Sequence, residues 1–151
     1  MIIKYLKYIF YMSAMFAACT SAKVGNTDAG GSDAKPEPVG ITSLEWRLVS
    51  VVSETGTLNA EKAAKHTTMK IEADGKVYGN GGCNTYSGTA TVSGTGIKFD
   101  KILVTQMACF DMKIETAFFA ALENADSFTV ESGDLKLKKG DMLLATFSTF
   151  R

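Results

Sequence analysis

Ten residues at positions 79–88 read GNGGCNTYSG, and five residues at positions 105–109 read TQMAC. Glycine contributes no side chain to a core, so three glycines within positions 79–82 predict a β-bulge or a close approach of two backbones. A dinucleotide-binding loop would need glycine at position 84 and a helix after it, whereas Asn84 stands there and a strand pattern follows. Asn84 is therefore expected to hydrogen-bond the neighbouring backbone of its own loop.

Short strands are predicted on both sides of this stretch. Residues 44–48 (LEWRL) and 69–73 (MKIEA) alternate apolar and charged side chains, which is the period of a half-buried strand. The pair Asp74 and Gly75 then turns the chain into a strand at 76–78. Further strands are predicted at 85–92, 97–99, 128–131, 135–138 and 143–147. Turn residues every eight to twelve positions are typical of an antiparallel sandwich or barrel.

The hydrophobic period changes between positions 109 and 128. One helical face carries the apolar side chains in this interval, namely Ile114, Ala117, Phe118, Ala121 and Leu122. Asp111 is predicted as the N-cap, and Glu115 is expected in the first turn, where the helix dipole favours a negative charge. Phe119 lies off the apolar face and is either core at its edge or an exposed contact residue. The predicted fold is mainly β: a small antiparallel β-barrel-like domain of about eight strands with one α-helix.

The first 18 residues have the composition of a lipoprotein signal peptide. Lys4 and Lys7 precede an uncharged, mostly apolar run that is too short to span a bilayer. Ala17 and Ala18 directly before Cys19 resemble the lipobox of bacterial lipoproteins, in which the cysteine is acylated. We therefore expect a lipidated Cys19; ordinary signal cleavage nearby, with Cys19 incidental, is the alternative.

Residues 19–39 contain both prolines and almost no large apolar side chain, which predicts a flexible tether before a folded domain at 40–151. In the lipoproteins that the N-terminus resembles, a residue other than Asp after the cysteine is associated with the outer membrane, and here it is Thr20. The expected location is the outer membrane, lipid-anchored, on the periplasmic face or at the cell surface.

Cys83 and Cys109 are the two cysteines of the predicted domain. Export to an oxidising compartment makes a disulfide between them the first interpretation. The alternative is a catalytic Cys83 with His66 as its base, but no recognisable signature surrounds this cysteine. His66 itself lies in a polar stretch, where a solvated loop or short helix is expected.

Charge and motif content exclude several function classes. The 16 basic and 16 acidic side chains cancel and no basic cluster occurs, so nucleic acid is not an expected partner. The strings HExxH, GxSxG and GxxxxGK[ST] are absent from the sequence. A single histidine and a paired set of cysteines do not supply a metal site. We predict no cofactor, no metal and no enzymatic activity.

The GGCNxYSG string and the following TxMAC string together resemble the META/HslJ family of small bacterial envelope proteins. The segment around Trp46 looks like the opening W-x-L strand of that family. The positions that carry the resemblance are Trp46, Gly81, Gly82, Cys83, Asn84, Tyr86, Gly88, Thr105, Met107, Ala108 and Cys109. The resemblance implies a compact β-barrel-like fold with a helix, and it implies no established reaction.

Two function hypotheses follow. The first is a monomeric, lipid-anchored protein-binding module whose partner is a secreted peptidase or another envelope protein. Potempin-type peptidase inhibitors, which are outer-membrane lipoproteins of similar size, look alike in plan. The second is an HslJ-like envelope-stress or antibiotic-tolerance factor that holds a small hydrophobic ligand in the barrel mouth. The predicted contact loops span residues 53–66 and 79–88, with Glu54, Thr55, Gly56, Thr57, Leu58 and Asn80 as the candidate contact residues.

Overall fold

A computed structural model of the protein describes residues 40–63 and 65–149. The predicted signal peptide at 1–18, Cys19 and the predicted tether at 19–39 lie outside the described residues.

The described residues form nine antiparallel strands and one helix, which confirms the predicted fold class. The strands are β1 (Glu45–Ser53), β2 (Gly56–Asn59), β3 (Thr68–Ile71), β4 (Lys76–Asn80), β5 (Thr85–Ser93), β6 (Gly96–Val104), β7 (Ser127–Glu131), β8 (Asp134–Lys139) and β9 (Met142–Thr149). The helix, α1, spans Lys113–Asn124 between β6 and β7. No helix in this part of the chain is long and apolar enough to cross a bilayer.

The strands form one sheet in the order β2-β1-β3-β4-β5-β6-β7-β8-β9, and pairing between β1 and β9 closes it into a ring. The ring has one weak seam, where β6 and β7 share the single residue pair Gly96 and Ser127. The chain leaves β6 at Val104, the end opposite to this pair, and returns through α1, which packs against β1, β6, β8 and β9. The helix therefore contacts strands on both sides of the seam, β6 on one side and β8 on the other.

Inward-facing side chains of the strands and the buried face of α1 make one core. Trp46, Phe118 and Phe147 are its largest fully buried members. The indole Nε1–H of Trp46 donates to the carbonyl oxygen of Ile41 at 2.9 Å, which satisfies the one polar atom of that side chain. The rings of Phe118 and Phe147 meet edge to face with centroids 6.2 Å apart. The helix is thus part of the core, as its apolar face predicts.

The first strand differs from its prediction at both ends. Leu44 is 41% exposed and precedes the strand, although the alternating pattern placed it on the inner face. At the other end β1 continues to Ser53, because residues 49–52 add three valines that favour extended backbone.

The predicted contact loop at 53–66 is interrupted by a short strand, and its irregular parts are residues 54–55, 60–63 and 65–66. Gly56, Thr57 and Leu58 lie in β2, which pairs with the end of β1, so only Glu54 and Thr55 form the turn. The hydroxyl of Ser53 donates to the carbonyl oxygen of Gly56 at 2.7 Å and fixes this hairpin. A four-residue strand with little apolar content has no alternating pattern by which the sequence reveals it.

Strand β6 is also longer than predicted. The alternation of residues 97–99 breaks at Lys101, whose φ of 54° is left-handed, and the pairing with β5 shifts register between Ser87 and Thr89. The strand resumes beyond this irregularity with Ile102 packed against the core. Because of this bulge, the second half of β6 does not continue the period-two alternation of residues 97–99, and the sequence pattern does not predict it.

The start of α1 corrects the predicted N-cap. Met112 holds the N-cap position without a side-chain hydrogen bond, and Asp111 lies one residue earlier. The carboxylate Oδ1 of Asp111 nevertheless accepts the backbone N–H of Lys113 at 3.0 Å. Asp111 therefore accepts one of the free N–H groups at the helix start, although it lies one residue before the N-cap.

The close backbone approach predicted from the glycines occurs at Gly79. A Cβ atom at this position would lie 2.1 Å from the carbonyl oxygen of Thr68 and 2.8 Å from its carbonyl carbon, both on the neighbouring strand β3. Backbone atoms cannot rotate away as side chains do, so β3 and β4 tolerate only hydrogen here.

Replacing Gly79 with Ala is expected to lower the free energy of unfolding by about 2 kcal/mol or more, because the added methyl group must push two paired strands apart. Gly94→Asn is the matched control: φ is 58°, nothing lies within 4 Å of an added Cβ, and Asn tolerates left-handed backbone. Equilibrium urea unfolding measures both. A Gly79→Ala protein as stable as the wild type contradicts the close approach.

Candidate functional site

A buried carboxylate organises the motif-bearing part of the molecule. Glu115 lies in the first turn of α1 and is only 4% exposed. Its Oε2 accepts the backbone N–H of Cys83 at 2.9 Å and that of Asn84 at 2.6 Å, and its Oε1 accepts the Asn84 side-chain N–H at 2.7 Å. The helix is thereby joined to the turn between β4 and β5. The sequence predicts for Glu115 only a favourable charge near the helix N-terminus, because its bonding partners lie more than 30 residues away in the chain.

Two opposed influences act on the pKa of Glu115. Burial raises it, because the charged form loses hydration, while the hydrogen bonds from Asn84 and Cys83 favour the charged form. The hydrogen bonds prevail and hold the pKa of Glu115 below its ordinary value of 4.5. The carboxylate is therefore ionised at neutral pH and acts as an acceptor only.

Asn84 carries this connection onward to the segment that follows β6. Its Oδ1 accepts the backbone N–H of Met107 at 2.7 Å and the hydroxyl of Thr105 at 3.0 Å, and its Nδ2 donates to the carbonyl oxygen of Met107 at 3.3 Å. The prediction of a local role for Asn84 is therefore wrong. The local role belongs to Asn80, whose Oδ1 accepts the N–H of Gly82 at 2.7 Å.

A disulfide between Cys83 and Cys109 is the third tie, as the count of cysteines predicted. The two Cα atoms lie 6.1 Å apart. Residues 105–112, which run between β6 and α1 without regular structure, are called the ridge from here on. The Asn84 hydrogen bonds hold the ridge at Met107, and the disulfide holds it two residues later. The ridge, although it has no regular structure, is thus held at Met107 and at Cys109.

Aromatic rings support the same turn from the inside. Phe119 packs its ring against Tyr86 and Phe118, with centroids 5.4 and 5.2 Å away. A Cβ at Gly81 would lie 2.8 Å from the Phe119 ring, so only glycine leaves room for it. Phe119 is therefore core at the edge of the helix face rather than an exposed contact residue. The Tyr86 hydroxyl donates to the carbonyl oxygen of Thr68 at 3.1 Å, and burial raises the pKa of this phenol.

The outward side of the ridge is apolar and open to solvent. Phe110 is fully exposed and Met107 is 50% exposed. Such side chains leave large apolar areas in water, which is unusual for a segment that is otherwise restrained. The restraint acts on the backbone and leaves these two side chains free to meet another molecule.

Two concavities flank the ridge. The larger, called the α1 groove, has a volume of about 830 Å³ and lies between α1, the β1–β2 hairpin and the start of β9. The smaller, of about 480 Å³, lies between the ridge, the end of β6 and the first turns of α1. Met112 and Thr116 border both, so the C-terminal part of the ridge is the wall between them.

The predicted contact residues divide into three groups. Glu54, Thr55 and Leu58 border the α1 groove, whereas Gly56 and Thr57 are exposed on β2. Asn80 is half-buried at the end of β4 and binds within its own turn. The ridge itself was not among the predicted contact loops. The signal that could have found it is the apolar pair Met107 and Phe110 on either side of a cysteine, outside every periodic segment.

The alternative of a catalytic Cys83 does not fit the structure. The sulfur of Cys83 is bonded to Cys109 and is not a free thiol. His66 lies on an exposed stretch, as predicted, where its Nδ1 is hydrogen-bonded to the guanidinium of Arg47. Across residues 40–63 and 65–149, no three or more His, Cys, Asp or Glu side chains are grouped as metal ligands.

Comparison with known proteins places the domain. The family model described as META domain matches residues 40–149. The NMR structure of a protein from Burkholderia xenovorans superposes with a TM-score of 0.61 at 20% identity, covering 84% of this chain and 99% of the other. The crystal structure of a DUF4847 family protein from Bacteroides vulgatus gives 0.50 at 19% identity, covering 72% and 93%. These likenesses concern the fold. No curated protein is significantly similar to this chain.

Glu115→Gln is expected to lower the free energy of unfolding by about 2–3 kcal/mol. Three N–H groups bind the two carboxylate oxygens of Glu115, whereas a glutamine amide has one oxygen. Its NH₂ group would face at least one of these donors, and that donor would lose its acceptor. Glu123→Gln is the control on the same helix, since Glu123 is exposed, and should change stability by less than about 0.5 kcal/mol. Chemical denaturation of both variants measures the difference. Equal effects would refute the bridging role of Glu115.

The stability that Glu115 contributes is expected to depend on pH. Its pKa is depressed in the folded state, so the contribution is fully present above the ordinary value of 4.5 and is lost as the pH falls below it. As the pH falls below about 4.5, the unfolding free energies of the wild type and of Glu115→Gln should therefore converge, because the carboxylate becomes protonated and both side chains are then neutral. A gap between the two proteins that stays constant down to the acid-unfolding limit contradicts this origin.

Proposed function

The chain belongs to the META domain family, and we propose that it is a non-enzymatic protein-binding module of the bacterial envelope whose contact element is the ridge. The single observation that carries this proposal is a fully exposed Phe110 on a segment that a disulfide and the Asn84 side chain hold in place. The signal-like N-terminus and Cys19 support a lipid anchor in the outer membrane.

Restraint of the ridge supports a binding role through entropy. Ordering a free loop on binding costs about 0.5–1.5 kcal/mol for each immobilised side chain, in addition to backbone freedom. The ridge has already lost much of this freedom, because Met107 is held through both its N–H and its carbonyl oxygen. Binding energy from Phe110 and Met107 is then available for affinity.

Phe110 has the properties of an anchor residue. Aromatic side chains bury 150–250 Å² each and are enriched in protein interfaces. A central apolar anchor that enters a pocket of its partner commonly dominates the binding energy. Concavities on both sides of the ridge leave room for the walls of such a partner pocket.

The partner class that we propose is a secreted peptidase, which the ridge inhibits. Some peptidases have an apolar slot that receives one large side chain of the substrate, and Phe110 is presented as such a side chain. The bond after Phe110 would then be the one cut. The Asn84 side chain and the disulfide hold the new C-terminus, because Met107 and Cys109 lie just before it. The new N-terminus is held through α1, where Glu115 accepts the N–H groups of Cys83 and Asn84. Cleaved ends held together dissociate slowly, which favours inhibition over turnover.

Phe110→Ala is expected to raise the inhibition constant toward the target peptidase by about 100-fold, the loss of a hot-spot anchor of about 3 kcal/mol. The assay titrates the purified protein against the secreted peptidases of its own bacterium, with activity on a peptide substrate as the readout. Val130→Ala is the control, because Val130 is also an exposed apolar side chain, 38% exposed, but lies on β7 and borders neither concavity. Equal inhibition by the wild type and Phe110→Ala removes the ridge as the contact element.

The paired variant Cys83→Ser with Cys109→Ser separates restraint from contact, since it keeps Phe110 and removes the covalent tie. The peptidase should cleave this variant within residues 105–112 and recover its activity, which mass spectrometry of the products and the time course record. Persistent inhibition without cleavage would show that the disulfide is not needed for the effect.

A further inference from the structure

We infer that the α1 groove binds a single-chain amphiphile with an anionic head group, such as a long-chain fatty acid. The groove has the volume expected for a small-molecule site, about 830 Å³ against a usual range of about 300–1,000 Å³. It lies on the far side of Met112 and Thr116 from the smaller concavity. This site adjoins the protein contact proposed for the ridge, because Phe110 borders the groove as well.

The shape of the groove follows from small side chains on one wall. Alanines at positions 117, 120 and 121 line it along α1, and their methyl groups leave space that larger residues would fill. Val52, Leu58 and Leu144 form the opposite apolar wall. A 12-residue helix is about 18 Å long, so the groove can accept an extended hydrocarbon chain laid parallel to it.

Exposed apolar side chains at the rim point to the same class of ligand. Met142 borders the groove on β9 and Phe110 borders it from the ridge, and both are largely exposed. Long apolar side chains at the edge of an apolar groove can close over a hydrocarbon chain and remove its surface from water. The groove and its rim together make a larger apolar area than isolated surface residues do.

Lys139 is the reason for proposing an anionic head group, because it lies at the end of the groove where α1 ends. Its Nζ donates to the amide oxygen of Asn124 at 2.8 Å, a neutral partner that leaves two ammonium protons for another acceptor. In the described part of the chain, the ion pairs within 4.0 Å involve other lysines. The carboxylate of Asp126 accepts the hydroxyl of Ser127 and the N–H of Gly140, and these hydrogen bonds together with the nearby charge of Lys139 lower its pKa. Asp126 thus faces Lys139 across space without a hydrogen bond to its ammonium group.

Other charges of the groove limit the ligand to one anionic group. The carboxylate of Asp111 lies at the opposite end of α1, where it accepts the N–H of Lys113. Glu54 lies at the exposed turn of the β1–β2 hairpin. Lys113 and Lys139 balance these two carboxylates, so the groove has no net positive charge to attract a polyanion. A single carboxylate or sulfate beside Lys139 forms a charge-assisted hydrogen bond.

The test measures binding of radiolabelled dodecanoate to the full chain by equilibrium dialysis, below the concentration at which dodecanoate forms micelles. Saturable binding at one site is expected. Ala120→Trp, which fills the groove, should weaken it at least about tenfold. Glu123→Trp is the matched control, since Glu123 is exposed on the same helix and is not part of the groove wall.

Lys139→Gln separates the head group from the chain. It should weaken dodecanoate binding about tenfold and leave the binding of uncharged dodecanol unchanged. No saturable binding to the folded wild type, or equal loss in Ala120→Trp and Glu123→Trp, overturns the site. Equal loss of dodecanoate and dodecanol in Lys139→Gln overturns the anionic head. Because none of these measurements involves a peptidase, failure here leaves the ridge proposal to its own test.

Discussion

The buried carboxylate of Glu115 is the interaction on which the rest of the motif region depends. It satisfies two backbone N–H groups and one side-chain amide that would otherwise be buried without an acceptor. Because all three donors belong to Cys83 and Asn84, a single helical residue fixes the turn that carries half of the disulfide. The same turn positions the Asn84 side chain, which holds the backbone of Met107. Helix, turn and ridge are therefore one unit.

The open seam of the barrel explains why such a unit is needed. Strands β6 and β7 pair at one position only, at the start of β6, so the second half of β6 is paired with β5 on one side and has no ladder on the side of β7. Among the described residues, the chain between β6 and α1 keeps one backbone hydrogen bond to a strand, from the N–H of Thr105 to the carbonyl oxygen of Thr85 at 3.1 Å. Side-chain hydrogen bonds and a disulfide take the place of the missing ladder. The result is a segment whose backbone is held while its outward side chains stay uncovered.

The two proposed surfaces meet at Phe110, which belongs to the ridge and also borders the α1 groove. This arrangement places an apolar anchor between a site for a macromolecule and a site for an amphiphile. The chemistry of the two sites differs, since the ridge offers exposed side chains on a fixed backbone, whereas the groove offers a concave wall of alanines with a lysine at one end. Both uses need binding contacts only and no reacting group, in keeping with the engaged sulfur of Cys83.

The sequence by itself determined the fold class, the helical face and the pairing of Cys83 with Cys109, and it predicted a bulge or a close backbone approach within positions 79–82, which the structure places at Gly79. The fold class and the helical face follow from apolar positions that repeat with the period of a strand or a helix. The cysteine pairing follows from the count, since the domain has two cysteines. Only the tertiary structure decided what Glu115 and Asn84 do, since their partners lie more than 20 residues away and are brought near by strand order and helix placement. The short strand β2 and the second half of β6 also escaped the period-two pattern, because β2 has one large apolar residue, Leu58, and the second half of β6 follows a bulge. The ridge has no period at all, so its rigidity appears only when its partners are in place.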